Sequence, residues 1–148
     1  MTIRPYSPSD EIMVLELLKL NTPQYFAESE KADLIEYLAN HIDHYYVVEI
    51  DNTIMGCGGF NRTPDGKRGV LSWDIIHPDA QGKGIGSALV KFRIADMQKL
   101  GVKEIGVRTS QHVYQFYEKM GFTLKSPVVK DYWAEGFDLY EMEIEDKG

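Results

Sequence analysis

The sequence has one cysteine, Cys57, among its 148 residues, so it has no second thiol with which to close a disulfide within the chain. Cys57 has no CxxC or CxxH neighbour and the four histidines are scattered, so the spacing of a structural metal site is missing and no metal is expected. Positive charge is also scarce: 16 Lys and Arg face 23 Asp and Glu, for a net charge of −7 at pH 7. Binding nucleic-acid phosphates or an anionic bilayer needs a basic patch, and none is visible, so neither nucleic acid nor membrane is an expected partner. No apolar run approaches the roughly 18 residues of a membrane span. The opening MTIRPYSPSDE lacks the charged start, apolar stretch and small-residue cleavage site of a signal peptide. The expected setting is cytoplasmic.

What is present suits one folded domain over residues 1–148, with 43% apolar and 26% charged residues. Thr2 to Tyr6 reads as a short strand, followed by Ser9 or Asp10 as a helix cap. Ile12, Leu15 and Leu18 with Val14 and Leu17 form a helical stripe ending near Asn21-Thr22-Pro23. A second helix fits Ser29 to His41, with Ala32, Ile35, Leu38, Ala39 and Ile42 on one side. The period then changes: Tyr45 to Ile50 and Thr53 to Phe60 are β-type runs joined by Asp51-Asn52, a tight-hairpin pair, and Gly69 to Ile76 makes a third strand. A glycine-rich loop leads into a helix with Ile85, Ala88, Leu89, Phe92 and Ala95 at helical spacing, stopped by Gly101. Lys103 to Thr109 reads as a strand, Gln111 to Met120 as a helix, Phe122 to Leu124 as a strand start and Asp138 to Ile144 as the last strand. An antiparallel meander followed by a helical crossover implies an α/β (α+β) fold, a mixed sheet with helices on both faces.

The loop Gln81-Gly82-Lys83-Gly84-Ile85-Gly86-Ser87 opens a helix, where unpaired backbone amides and the helix dipole attract anions and glycines let a phosphate approach. Glycines there also serve simply to let strand and helix pack closely. Two familiar phosphate loops fit poorly. The P-loop needs GxxxxGK followed by Ser or Thr, and the dinucleotide fingerprint needs a glycine where Ser87 stands and an acid where Thr109 stands.

The segment Ile76 to Gly86, with Gln81-Gly82-Lys83-Gly84-Ile85-Gly86, resembles the Q/R-x-x-G-x-G/A signature of the GNAT superfamily of N-acetyltransferases. Phe116-Tyr117-Glu118-Lys119-Met120-Gly121-Phe122 resembles that family's F-Y-x-x-x-G-F helix end, in the right order and with the right elements between. The resemblance implies the GNAT fold, a mostly antiparallel mixed sheet of about six to seven strands flanked by about four helices. It also implies transfer of an acetyl group from acetyl-CoA to a primary amine by direct attack in a ternary complex. A non-catalytic GNAT-fold module that binds coenzyme A or a protein partner is the alternative, and a homodimer is compatible with the family. Which amine is accepted is not legible.

In such a protein the coenzyme diphosphate meets the amides of Gln81, Gly82, Lys83, Gly84, Ile85 and Gly86, with Ser87 close by, and the pantetheine arm runs along Asp74, Ile75 and Ile76. Tyr117 matches the tyrosine that returns a proton to the leaving thiolate; packing beside Phe116 and Phe122 is its structural alternative. Asp74 interrupts an apolar strand at the expected acetyl position. It reads either as the base or a substrate contact, or as a structural carboxylate bonded to a neighbouring strand. His77 before Pro78 is a second base candidate or a turn residue. Relatives often carry asparagine after the strand that here ends Thr109-Ser110-Gln111, so Ser110 or Gln111 is expected on the pantetheine arm. The acceptor is expected near Tyr25, Phe26 and Glu28 and near Tyr132 and Trp133, where aromatics and acids suit a cationic amine.

Overall fold

The computed structural model describes residues 1–145. Among them are eight strands, β1 (Thr2–Pro5), β2 (His44–Ile50), β3 (Thr53–Arg62), β4 (Arg68–Ile76), β5 (Glu104–Thr109), β6 (Thr123–Leu124), β7 (Val129–Ala134) and β8 (Phe137–Glu145). The helices are α1 (Glu11–Leu20), α2 (Glu30–Asn40), α3 (Ile85–Lys99) and α4 (Tyr114–Lys119). The sheet runs β1-β2-β3-β4-β5-β8-β6, with β7 paired to β8. All these pairings are antiparallel except β4 with β5, where α3 makes the crossover. No helix among the described residues is long and apolar enough to cross a membrane.

Strand alternation divides the core in two. On β2, Tyr46 and Val48 point into a cluster with Leu89, Val90 and Met97 of α3. Tyr45 and Val47 point the other way, onto Val14, Leu17 and Leu18 of α1 and Leu34 and Leu38 of α2. Burying a side chain such as Leu17 or Leu34, both wholly inaccessible, stabilises the fold by roughly 1.5–3 kcal/mol.

The structure corrects the helix faces read from spacing. Ile12 is 81% exposed, and α1 buries only Val14, Leu17 and Leu18. In α2 the inward residues are Glu30, Leu34, Tyr37 and Leu38, and Ile35 faces solvent. In α3 they are Ile85, Leu89, Val90, Arg93 and Met97, which leaves Phe92 exposed. Spacing finds Ile85 and Leu89 on the inner side of α3 but takes Phe92 in place of Arg93, because the true inner row contains an arginine. The Asp51-Asn52 hairpin forms with both residues at positive φ, 51° and 63°, as a tight two-residue turn demands. The described sheet has eight strands, one above the expected range, because β7 carries no strand signal of its own. Its sequence Val129 to Ala134 is mostly exposed and lacks an apolar alternation; pairing with β8 makes it a strand.

Two irregularities in β4 shape the middle of the sheet. Cys57 pairs with Ile75 and Gly59 with Ser72, so Gly58 alone faces Trp73 and Asp74; Trp73 sits at φ 51°, and the strand bulges. On its other edge β4 pairs with β5 only from Arg68 to Leu71. Beyond Leu71 the two strands part, and the β5 side of residues 72–76 is left open.

Candidate functional site

A cleft of about 780 Å³ lies where β4 and β5 separate, a size that suits a cofactor or small ligand. Its wall is built from the α1–α2 loop, β4 from Val70 to Ile76, the glycine turn before α3, the end of β5, α4, and parts of β7 and β8.

At its centre the bulge delivers Asp74 to a buried guanidinium. Arg93 of α3 is completely inaccessible; its Nη1 donates to Asp74 Oδ1 at 2.5 Å and its Nη2 to Oδ2 at 2.8 Å. Nη1 also donates to the Gly59 carbonyl at 2.8 Å, and Nε to the Leu89 carbonyl at 3.1 Å. The fork is therefore satisfied, as a buried charge requires. Gly58 makes room for it: a Cβ there would stand 2.7 Å from Asp74 Oδ1 and 3.0 Å from Arg93 Nη1. Tyr117 of α4, 3% exposed, donates its hydroxyl to Asp74 Oδ2 at 2.6 Å. Burial first, and the Asp74 charge second, push the Tyr117 phenol well above its ordinary 10. Tyr117 is thus a neutral donor across physiological pH.

The glycine turn forms one end of the cleft. Gly82 and Gly84 adopt φ of 78° and 82°, and the first bond of α3 runs from the Ala88 amide to the Gly84 carbonyl at 3.0 Å. The amides of Ile85, Gly86 and Ser87 precede that bond and have no carbonyl in their own helix to receive them. Gly86 has a packing role as well, since a Cβ there would meet the Phe116 ring at 3.2 Å. The turn is braced by Gln81, whose Nε2 donates to Asn21 Oδ1 at 3.0 Å and to the Ile76 carbonyl at 3.3 Å. Buried Asn21 donates to that same carbonyl at 3.0 Å. Lys83 is exposed, and the Ile85 side chain is in the core. Ile75, Ile76, Gly82, Gly84, Gly86, Ser87 and Ser110 all line the cleft. Gln111 turns away, donating to the Gly136 carbonyl and accepting from the Asp138 amide. His77 Nδ1 accepts the Asp79 amide at 3.0 Å, which caps the short 3-10 turn Pro78–Ala80.

The opposite end is aromatic. Phe26 stacks on Trp73 with centroids 6.2 Å apart, and Tyr37 lies 6.4 Å from the same ring. Tyr25 and Trp133 also line the cleft. Glu28 lies exposed outside the wall, whereas Glu30 lines it, 8% exposed, with Oε2 accepting the Ala27 amide at 2.7 Å. Burial raises the Glu30 carboxyl above its usual range. Tyr132 is half exposed and meets the cleft through Arg108, whose Nη2 donates to its hydroxyl at 2.7 Å.

Four residues of this site escape a reading of the sequence. Arg93 carries a signal: it stands four residues after Leu89 and four before Met97, a charge within an inward row. Asn21 looks like a helix end, Tyr37 has no distinguishing neighbours, and Arg108 lies outside the segments expected to hold the acceptor.

Residues 13–122 match the family described as Acetyltransferase (GNAT) family. The amino-acid acetyltransferase of Escherichia coli K12 is 28% identical over 88 residues, which are 60% of this chain and 20% of that protein. The chain therefore spans about a fifth of the length of that relative. Among solved structures, Ard1 from Thermoplasma volcanium superposes with a TM-score of 0.84 at 16% identity, covering 99% of this chain and 98% of the other. N-acetylglutamate synthase from Neisseria gonorrhoeae, complexed with coenzyme A and N-acetyl-glutamate, gives 0.77 at 19% identity over 97% of this chain and 34% of that one.

Proposed function

Because the chain belongs to the GNAT family of acetyltransferases, we propose that it moves the acetyl group of acetyl-CoA onto a primary amine by direct attack in a ternary complex. One observation carries the reading. The strand edge left open beyond Leu71 leads to the unpaired amides that start α3, and Tyr117 is bonded to Asp74 on that same strand. The Gln81 and Lys83 amides are spent on the Pro78 and Ala80 carbonyls at 3.4 and 3.3 Å, so the diphosphate of the coenzyme would lie on the amides of Gly82 and of residues 84–87, and its pantetheine arm along residues 74–76, with Ser110 nearby.

The amine nitrogen attacks the thioester carbonyl carbon, a C–N bond forms, the C–S bond breaks, and one proton must travel from nitrogen to sulfur. Tyr117 is suited to hand its hydroxyl proton to sulfur while taking one from nitrogen, because a free-standing phenolate beside the Asp74 carboxylate is strongly disfavoured. Asp74 keeps its Arg93 fork when the hydroxyl turns away. In this reading Asp74 acts through Tyr117, as its positioning residue, and not directly on the amine. The entering ammonium loses its proton to water or to a carboxylate such as Glu30 at the aromatic end.

Coenzyme A release from acetyl-CoA across an amine panel tests this, with mass spectrometry of the product. The expected result is one amine class that yields N-acetyl product and coenzyme A in equal amounts. Tight acetyl-CoA binding with no release for any amine would favour the non-catalytic coenzyme-binding module.

A further inference from the structure

We propose that Arg108 receives a carboxylate of the acceptor, so that the substrate class is an amino carboxylate, a small molecule with an amine and a carboxylate, and not a simple amine or polyamine. The inference rests on the amine-acetylating reading of this cleft and names its acceptor.

The chain has five arginines, and four are paired with acids. Arg4 holds Asp10 and Glu49, Arg62 holds Asp43, Arg68 holds Glu143, and Arg93 holds Asp74. Arg108 has no carboxylate partner among the described residues, in a protein where 23 acids outnumber 16 bases. Its cross-strand neighbour on β8, Glu141, accepts from the Ser126 hydroxyl instead. Arg108 lies in the cleft wall at the end of β5, just past the point where β4 and β5 part.

Its guanidinium is held in place by rings. Cζ lies 5.0 Å from the Tyr132 centroid and 5.6 Å from that of Trp133, while Nη2 donates to the Tyr132 hydroxyl. Trp133 is itself fixed by its indole N–H on the Thr109 carbonyl at 3.2 Å. Two aromatic faces and one hydrogen bond thus hold a planar fork whose other N–H groups are available, the geometry that recognises a carboxylate by paired bonds. The same charge repels an acceptor that is only cationic, which gives the cleft selectivity as well as attraction. The wall's lysine, Lys119, belongs to α4, the helix whose Phe116 abuts Gly86 in the first turn of α3, and not to the strands that carry Arg108, Tyr132 and Trp133. Phe26, Tyr37 and Trp73 offer the acceptor body an aromatic surface, which suits an apolar or aromatic side chain.

The test pairs each L-amino acid with its decarboxylated amine, for example phenylalanine with phenethylamine and leucine with isopentylamine, and adds spermidine. Turnover is followed as coenzyme A release, and binding of the same compounds to protein saturated with coenzyme A by calorimetry. The expected result is at least tenfold better binding, and kcat/KM, for an amino acid than for its decarboxylated partner. In Arg108→Ala that gap closes through a higher KM for the amino acid, with acetyl-CoA affinity unchanged, and Arg108→Lys restores only part of it. Equal or better use of decarboxylated amines or spermidine, a gap that persists in Arg108→Ala, or weakened acetyl-CoA binding in that variant would overturn the proposal. Carboxylate-dependent binding without any coenzyme A release would uphold it while removing the acetyltransferase reading on which it was built.

Discussion

Tyr117 and Asp74 are joined by a 2.6 Å hydrogen bond in which the phenol donates to Oδ2, while the same carboxylate is gripped on both oxygens by Arg93. Three residues from α4, β4 and α3 thereby form one neutralised unit at the point where the sheet opens. Its parts depend on one another: the bulge at Trp73 presents Asp74, Gly58 leaves the space, and Arg93 neutralises the charge.

Breaking this unit from the Arg93 side should show in stability. Arg93→Met leaves Asp74 without its guanidinium and is expected to lower the unfolding free energy by about 3–5 kcal/mol. The double variant Arg93→Met/Asp74→Leu should recover most of that loss yet stay impaired in turnover, because Tyr117 has lost its partner. Urea denaturation and kcat on the same preparations check both halves; full activity in a stable double variant would show that the unit serves packing alone.

Gly84→Ala tests the turn. Gly84 sits at φ 82° with open space where an alanine methyl would stand, so the penalty is conformational and not steric. A left-handed alanine costs about 1–2 kcal/mol, and the free loop should relax away from its binding shape. Acetyl-CoA affinity is expected to fall about fivefold or more by calorimetry, with folding stability lowered by no more than that cost of about 1–2 kcal/mol. Unaltered affinity would detach the turn from the coenzyme.

Acid stability should depend on Arg4. Its guanidinium donates to both Asp10 oxygens at 2.9 Å, and the Ser7 amide adds a third bond, so the Asp10 carboxyl titrates below its ordinary 3.8, with the Arg4 bonds as the first cause. A depressed carboxyl contributes stability that is complete above pH 3.8 and is lost as pH falls from there through the folded-state value. Arg4→Gln should therefore reduce stability at pH 7 and narrow the difference between pH 7 and pH 3, measured by denaturant titration at both. A difference as large as in the parent protein would contradict this assignment.

The sequence is most legible where local chemistry decides structure. Asp51-Asn52 announces a hairpin, the glycines before Ile85 announce an amide-lined helix start, and Phe116 to Phe122 place Tyr117 at the end of a short helix. Asp74 stands out as an acid in an apolar strand, but the partner that explains it lies 19 residues away on another element. Pairing of that kind is a property of packing and leaves no local pattern. For the same reason spacing recovers Ile85 and Leu89 on the inner face of α3 but misses Arg93, which is buried there because Asp74 and the Gly59 carbonyl await it. The strand β7 and the setting of Arg108 depend on pairing with β8 and on rings from a different hairpin, which no window of sequence contains.

Acetyl transfer in this cleft is expected to need the Tyr117 hydroxyl at the thioester sulfur, and Tyr117→Phe removes that hydroxyl while keeping the ring against Phe116 and Phe122. The decisive measurement is the rate of acetyl transfer at saturating substrates in this variant, beside its calorimetric affinity for acetyl-CoA. A fall in kcat of about tenfold or more with affinity preserved is the predicted result; turnover equal to that of the parent protein would contradict the account.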